Sequence, residues 1–458
     1  MFISLPRGIR SAIAEHFNIL VAFPPVRRIT QPIAQEEFLY ESQKVLLEAT
    51  TSALVNNPAQ VGSAVLYLRA GWGKSFIAAA IIRRLCVKTL YIVPTIALAA
   101  QISTDMKSVL TPPIEGEKSA LIASVMDFSP EKNDICIAVI NSAVKAAEDN
   151  PRFFSNFDLV IFDEVHQYCT EKRMSVFWCA AKARWNLGMT ATPNDRRDEF
   201  DFIFQKHLSP IIDAAKVPGF EYPENSFSCC VQVVNYYGPE NLTQNLTHDA
   251  TGEIFVHFMY EQMARDAFRN RFILEKCDEL LKDKHNVFIF AEERNHLELL
   301  YSRFCKKHPE IPCGYFVGGI SDTERKDIIE NARVIFATYS YGGTGISVVR
   351  MTAEIFVSPR YSAMKQIVPR IMRKGSDETK KRVIVDIVDS KTCLKHQYFK
   401  RRTAYEYYSC EYRYSVIHAP AVGEIELAEG ATPPVELAQC ARTEGEPGEA
   451  ARSPRNVA

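Results

Sequence analysis

The sequence predicts an α/β protein of two tandem lobes, each a parallel sheet flanked by helices, with a cleft between them. Three observations lead there. Short apolar runs alternate with helical patterns, as parallel α/β layers require. The alternation occurs twice, separated by a less regular stretch at about 200–265. The chain has 458 residues, and at roughly 150 residues per domain that is room for two or three domains.

In the first half, Val65–Leu68, Thr89–Val93, Ile135–Ile140, Leu159–Phe162 and Trp185–Met189 read as buried strands. Phe76–Leu85 and Ile96–Val109 read as the helices between some of them. In the second half, strands are expected at Val287–Ala291, Cys313–Val317, Arg333–Thr338, Glu354–Val357 and Arg382–Ile387. Helices are expected at Arg294–Lys306 and Asp322–Glu330. Between the halves, Phe227–Tyr237 is a β-rich piece, and Arg10–Phe17 reads as a short helix near the start. The expected division is a leader at 1–35, a first lobe at 36–235, a connector at 236–270, a second lobe at 271–418 and a disordered tail at 419–458. The tail is rich in Ala, Glu, Pro and Gly, too polar to bury a core.

Composition narrows the class. Hydrophobic residues are 47% and charged residues 24%, ordinary values for a globular chain. No apolar stretch approaches the ~20 residues that span a bilayer, and the start lacks a secretory pattern, so the reading is soluble, intracellular and off the membrane. The twelve Cys show no paired metal-ligand or redox spacing and read as reduced thiols. Net charge is −1, but the tail holds seven Glu against three Arg. Taking these from the totals of 55 and 54 leaves 48 acidic against 51 basic residues. The body is mildly basic, which suits a protein gripping a few phosphates rather than one coating nucleic acid.

The sharpest local signal is Leu68-Arg-Ala70-Gly71-Trp72-Gly73-Lys74-Ser75, between a strand and a helix. Glycines there let backbone N–H groups and a helix N-terminus approach phosphate oxygens. Lys74 would reach the β- and γ-phosphates of ATP, and the Ser75 hydroxyl would ligate Mg²⁺. The second signal is the apolar strand ending in Asp163-Glu164-Val165-His166. Two carboxylates at the end of a buried strand are costly without a cation. Asp163 would hold Mg²⁺ through water, and Glu164 would polarise the attacking water. Trp72 reads as a packing residue.

With these in order, the chain resembles the superfamily 2 helicases, over about Gln43 to Asp389. The resemblance implies two tandem RecA-like domains. Gln43 matches the adenine-reading glutamine, and Ala70 to Ser75 the nucleotide loop. Thr95, Ser142 and Thr338 match positions that hold the nucleic-acid backbone. Thr190-Ala191-Thr192-Pro193 resembles the motif that couples hydrolysis to strand movement, and His166 is expected to contact it or the opposite lobe. Val287–Glu293 resembles motif IV. Ala337–Gly345 resembles motif V, with Gly345 near the nucleotide. Gln366-Ile-Val-Pro-Arg370-Ile-Met-Arg373 resembles motif VI, so Arg370 and Arg373 are expected to reach the γ-phosphate as arginine fingers, with Gln366 in the coupling set.

Three positions depart from the pattern. Leu68 stands for the first loop glycine, Ser347 for the acidic residue of motif V, and Pro369 for the glycine before Arg370. Proline removes an N–H and fixes φ, which alters how the finger is presented. The Asp-Glu-Val-His box and compact build are most similar to helicases of large DNA viruses, of the type that releases poxvirus transcripts. Phage recombination helicases share the compact plan. That implies an ATP-driven helicase or translocase, on DNA rather than RNA, in transcription, replication or recombination and alongside that machinery. If viral, it would work in host cytoplasm or virion. An RNA helicase, the motor of a restriction-type complex, and a scaffold with a weakened motor are the rival expectations. The basic and aromatic stretch Leu394–Tyr405 reads as a helix that either covers the second lobe or follows a strand.

Overall fold

The computed structural model describes residues 38–420 apart from 57–61, 111–121, 194–199, 223–226, 248–251, 343–347, 361 and 374, together with 16, 25, 26 and 29. The leader at 1–35 and the tail at 419–458 therefore fall almost wholly outside the described residues, as do Gly345 and Ser347.

Each half forms one seven-stranded sheet in which all pairings are parallel. In lobe one the strands are β1 (Ser63–Tyr67), β2 (Thr89–Val93), β3 (Ile122–Ser124), β4 (Ile135–Val139), β5 (Leu159–Asp163), β6 (Trp185–Thr190) and β7 (Ile211–Asp213). Their order is β3-β4-β2-β5-β6-β1-β7. In lobe two they are β8 (Cys229–Tyr237), β9 (Val287–Ala291), β10 (Cys313–Phe316), β11 (Val334–Thr338), β12 (Ala353–Phe356), β13 (Arg382–Asp389) and β14 (Glu411–His418). Their order is β10-β11-β9-β12-β13-β8-β14.

The central strands are continuous aliphatic runs because helices cover both faces of a parallel sheet. In lobe one, Leu66, Tyr91, Val93 and Ile161 pack under the helices Glu41–Val55, Lys74–Leu85 and Ile96–Leu110. Val65, Ile92, Val160 and Phe162 pack on the other side with Phe154, Phe157 and Phe177. Lobe two repeats the plan, with Phe288, Phe290 and Phe356 on one face and Val287, Ile289 and Ile355 on the other.

One expected boundary moves. The first lobe was expected to run to 235 and the connector to begin at 236, yet β8 pairs with β13 along its whole length and with β14. The reason is hydrogen bonding: Val231, Val233 and Val234 are buried in lobe two, and their backbone groups find ladder partners there rather than in lobe one. Lobe two thus starts before the long irregular stretch, and the segment between β8 and β9 is helical in part, at Val256–Arg265 and Ala267–Lys282.

The stretch Leu394–Tyr405 does cover lobe two. Its helix, His396–Tyr407, buries Tyr398, Arg401, Ala404 and Tyr405. Arg401 Nε donates to both oxygens of Asp386 on β13 at 2.9 and 3.1 Å, and Tyr405 Oη donates to Asp386 at 2.7 Å. The described cysteines are free thiols. Among the described residues, no helix is long and apolar enough to cross a membrane.

Candidate functional site

β1 delivers the chain into the glycine loop, and the helix Lys74–Leu85 leaves it. Gly71 and Gly73 have φ of +81° and +76°, conformations that L side chains rarely adopt. Gly73 is constrained twice, because a Cβ there would come within 2.5 Å of Gln43 Nε2. That amide donates to Trp72 O at 3.0 Å, while Gln43 Oε1 accepts from Tyr40 N at 3.0 Å. Gln43 therefore ties the helix Glu41–Val55 to the loop. Trp72 packs, as its sequence context suggested: its ring meets Tyr222 edge-on at 5.1 Å and Phe220 at 6.3 Å.

Neighbouring β5 ends in Asp163, and the chain then turns sharply. Glu164 is left-handed, with φ of +49°, a backbone state that costs of order 1–3 kcal/mol in a non-glycine residue and tends to mark functional turns. The turn aims Glu164 at Lys74, whose Nζ donates to Glu164 Oε1. Burial pushes the Glu164 carboxyl up, but the charges of Lys74, His166 and Arg370 overcome it and hold the group below its ordinary value. Asp163 goes the other way. Burial, opposed by Lys74 and reinforced by Glu164, pushes it up to about 6. Asp163 Oδ1 accepts from Glu164 N at 3.0 Å and Oδ2 from Tyr91 Oη at 3.4 Å.

His166 Nδ1 lies 2.8 Å from Thr190 Oγ1, which also accepts from Thr192 N at 3.0 Å. The end of β5 is thus wired to the end of β6. The Ser75 hydroxyl and Asp163 carboxylate are hard oxygen donors of the kind Mg²⁺ takes. Glu164 Oε2 is buried with no hydrogen-bond partner among the described residues, His166 Nδ1 lying 3.6 Å away. These residues are of the types that fit a Mg-nucleotide: Ser75 and Asp163 would hold the metal, and Lys74 and the loop the phosphates.

Lobe two faces this set with the short helices Met364–Ile367 and Val368–Ile371. Pro369 occupies the first turn of the second, where a missing N–H is tolerated. Arg370 is half-buried, its Nε donates to the carbonyl of Gln366 at 3.2 Å, and Gln366 is itself buried. Burial lowers the Arg370 guanidinium to about 10, against the charges of Glu354 and Glu164. Burial and the neighbouring Arg370 lower Arg373 to about 9, against Asp105 of lobe one. Both arginines therefore sense carboxylates across the cleft.

Asp105 and Arg69 were not singled out by sequence reasoning. Burial raises the Asp105 carboxyl, and the Ser75 and Gln101 side chains beside it oppose that rise. Its signal was available, since Gln101 and Asp105 share one face of the helix Ile96–Leu110 at an i, i+4 spacing. Arg69 stacks between two tyrosines, 4.1 Å from the Tyr222 ring and 4.3 Å from the Tyr407 ring of lobe two. Such a cation–π pair joins the nucleotide loop to the opposite lobe, and no local pattern announces it.

The three expected backbone-gripping residues sit apart at the carboxyl ends of parallel strands. Thr95 follows β2 and its Oγ1 accepts from Leu98 N at 3.3 Å. Ser142 is exposed at the start of the helix that follows β4. Thr338 ends β11 with Ser340 Oγ at 3.5 Å.

Comparison with known proteins adds the following. Residues 37–195 match the model for "Type III restriction enzyme, res subunit", and residues 273–375 match "Helicase conserved C-terminal domain". A protein of African swine fever virus, QP509L, provisionally named an ATP-dependent RNA helicase, is 28% identical over 411 residues, covering 86% of this chain and 77% of that protein. L396 of Acanthamoeba polyphaga mimivirus, with the same provisional name, is 23% identical, covering 75% and 63%. Among solved structures, S. cerevisiae Dbp5 bound to RNA and ADP BeF3 superposes with a TM-score of 0.54 at 13% identity, covering 92% of this chain and 96% of that one. Mss116p bound to ssRNA and AMP-PNP gives 0.56 at 13%, covering 88% and 83%. At such identity these two establish the fold, which is the tandem RecA-like one.

Proposed function

The chain belongs to the superfamily 2 helicases, related to those of large DNA viruses, and hydrolyses ATP; from that premise we propose that it is a DNA translocase or helicase of transcription or replication, working inside an infected cell. The observation that carries the reading is the composite site. Lys74, Asp163 and Glu164 of lobe one meet the charge of Arg370 from lobe two. Lys74 would leave Glu164 for the β- and γ-phosphates. Glu164, released, would accept hydrogen bonds from the attacking water. Asp163 and Ser75 would hold Mg²⁺, which offsets phosphate charge when bound. Arg370 and Arg373 would supply the positive charge that the transition state needs. The His166–Thr190 contact would carry the state of the nucleotide to the end of β6, and Thr95, Ser142 and Thr338 would grip the strand in alternation.

The DNA reading is supported by the match of lobe one to a restriction-enzyme motor. A second reading, an RNA helicase, is favoured by the names of the viral relatives. ATP-dependent strand displacement on matched DNA and RNA duplexes of one sequence separates them. Displacement of the DNA duplex with the RNA inert is expected, and the reverse assigns RNA as the substrate.

A further inference from the structure

Glu354 lies mid-strand on β12 and is fully buried. Both its carboxyl oxygens are buried without a hydrogen-bond partner among the described residues. A carboxyl in that state is expensive unless a cation lies near. Side chains alternate along a strand, so Glu354 shares a face with Phe356. Phe356 packs in the cluster that holds Met364, Ile367, Val368 and Ile371. Ala353 and Ile355 belong to the opposite face. The carboxyl therefore points to the side of the sheet covered by the two short helices that carry Arg370, and β12 packs directly against the second of them. Burial pushes the Glu354 carboxyl well above its ordinary value, the charge of Arg370 opposes that and the Cys410 thiol reinforces it. Cys229 lies on the same face and senses Glu354 in turn.

We propose that Glu354 is the positioning residue of Arg370: it offers the guanidinium an acceptor inside lobe two and so fixes the direction in which the arginine crosses the cleft. Arg370 then senses two carboxyl groups, Glu354 of its own lobe and Glu164 of the other. Its Nε donates to Gln366 O at 3.2 Å, a first anchor inside lobe two. Pro369 gives this tether a purpose. With proline next to it in a single short turn, the backbone that presents Arg370 is held at a fixed φ. A second anchor behind the side chain restores a defined aim. Either ionisation state of Glu354 presents an acceptor oxygen, so the tether does not depend on its charge.

The inference rests on the reading of Arg370 as the residue that reaches the γ-phosphate. Its test is ATP hydrolysis at saturating polynucleotide by the full chain, with kcat and KM measured separately. Glu354→Leu is expected to lower kcat about tenfold, as misaimed catalytic groups do, with KM for ATP within about twofold. Glu354→Gln keeps an acceptor and is expected to retain kcat within about threefold. In an Arg370→Ala background, Glu354→Leu is expected to add no further loss. Wild-type kcat in Glu354→Leu overturns the proposal, as does an equal loss in both backgrounds, which marks a purely structural role. Should the leucine variant fail to fold, Glu354→Asp reads the same geometry: a reduced kcat at unchanged KM supports it, and full kcat overturns it. Full kcat in Arg370→Ala alone overturns the finger reading beneath it, a result distinct from failure of the tether.

Discussion

The two lobes share one plan, seven parallel strands each, and put charge in opposite places. Lobe one displays its ions at strand ends. Lys74 pairs with one oxygen of Glu164 at the mouth of the cleft, and Asp163 accepts from Tyr91 and the backbone of the turn. Lobe two hides its ions beneath helices. Arg269 pairs with Asp389 at 2.6 Å, and Arg401 with Asp386 at 2.8 Å. All four side chains are at most 2% exposed. Ions at a mouth can exchange partners for a phosphate or a metal at little structural cost. Ions in a core cannot be moved without leaving an uncompensated charge. Lobe one is thus suited to exchange partners, and the buried ion pairs of lobe two give Arg370 and Arg373 a fixed base.

The comparison breaks first at Arg370, the lobe-two charge that behaves like those of lobe one. Arg370→Ala is expected to lower kcat on the order of 10³-fold, about 4 kcal/mol of barrier, with the melting temperature little changed. A large fall in melting temperature instead would place Arg370 with the structural ions. Next in size is Asp386→Ala. It strips Arg401 and Tyr405 of their shared acceptor inside the core, and about 3 kcal/mol of unfolding free energy is expected to be lost in a denaturant titration. Glu164→Gln is expected to cost roughly 10²-fold in kcat, about 2.7 kcal/mol, with stability unaltered. A loss of stability there would contradict the claim that lobe one's charges are exchangeable.

The smallest effect concerns pH. His296 is buried against Asn270 at 2.6 Å, and burial lowers it to about 3. The unfolded chain takes up a proton as pH falls through about 6.5, and the folded His296 refuses it. Its contribution therefore destabilises the fold as pH drops from about 6.5 toward 3. Asp163, raised to about 6 by burial, acts with the opposite sign: its folded form gains a proton before its unfolded form does. The informative quantity is thus a difference. His296→Gln, which keeps a donor for Asn270, is expected to make the fall of stability between pH 6.5 and 4 shallower, by at most about 1.4 kcal/mol per pH unit. An unchanged slope would show that His296 titrates normally.

Legibility in the sequence followed burial. Thr89–Val93 and Val287–Ala291 were readable to the residue, because a strand covered on both faces has no choice but an apolar run. Of the four edge strands, β10 was readable and β3, β7 and β14 were not. β14 alternates exposed and half-buried positions, and its Tyr414 and Val416 stand in solvent. β8 was readable as a strand but not as a member of lobe two, since periodicity carries no information about which sheet a strand joins. At the site, Lys74, Asp163, Glu164, Arg370 and Arg373 were picked out because phosphate chemistry fixes residue type and spacing together, and the structure brings Lys74, Glu164 and the charge of Arg370 to one place. Asp105, Arg69 and Glu354 were not, because each acts through a partner far away in the chain.

The central claim is that one ATP site spans both lobes and that nucleic acid completes it. Steady-state ATP hydrolysis, measured with and without single-stranded polynucleotide, tests this most directly. The wild-type chain is expected to hydrolyse ATP faster when polynucleotide is added, and Arg370→Ala to stay flat. A wild-type rate unmoved by DNA and RNA alike would contradict the account.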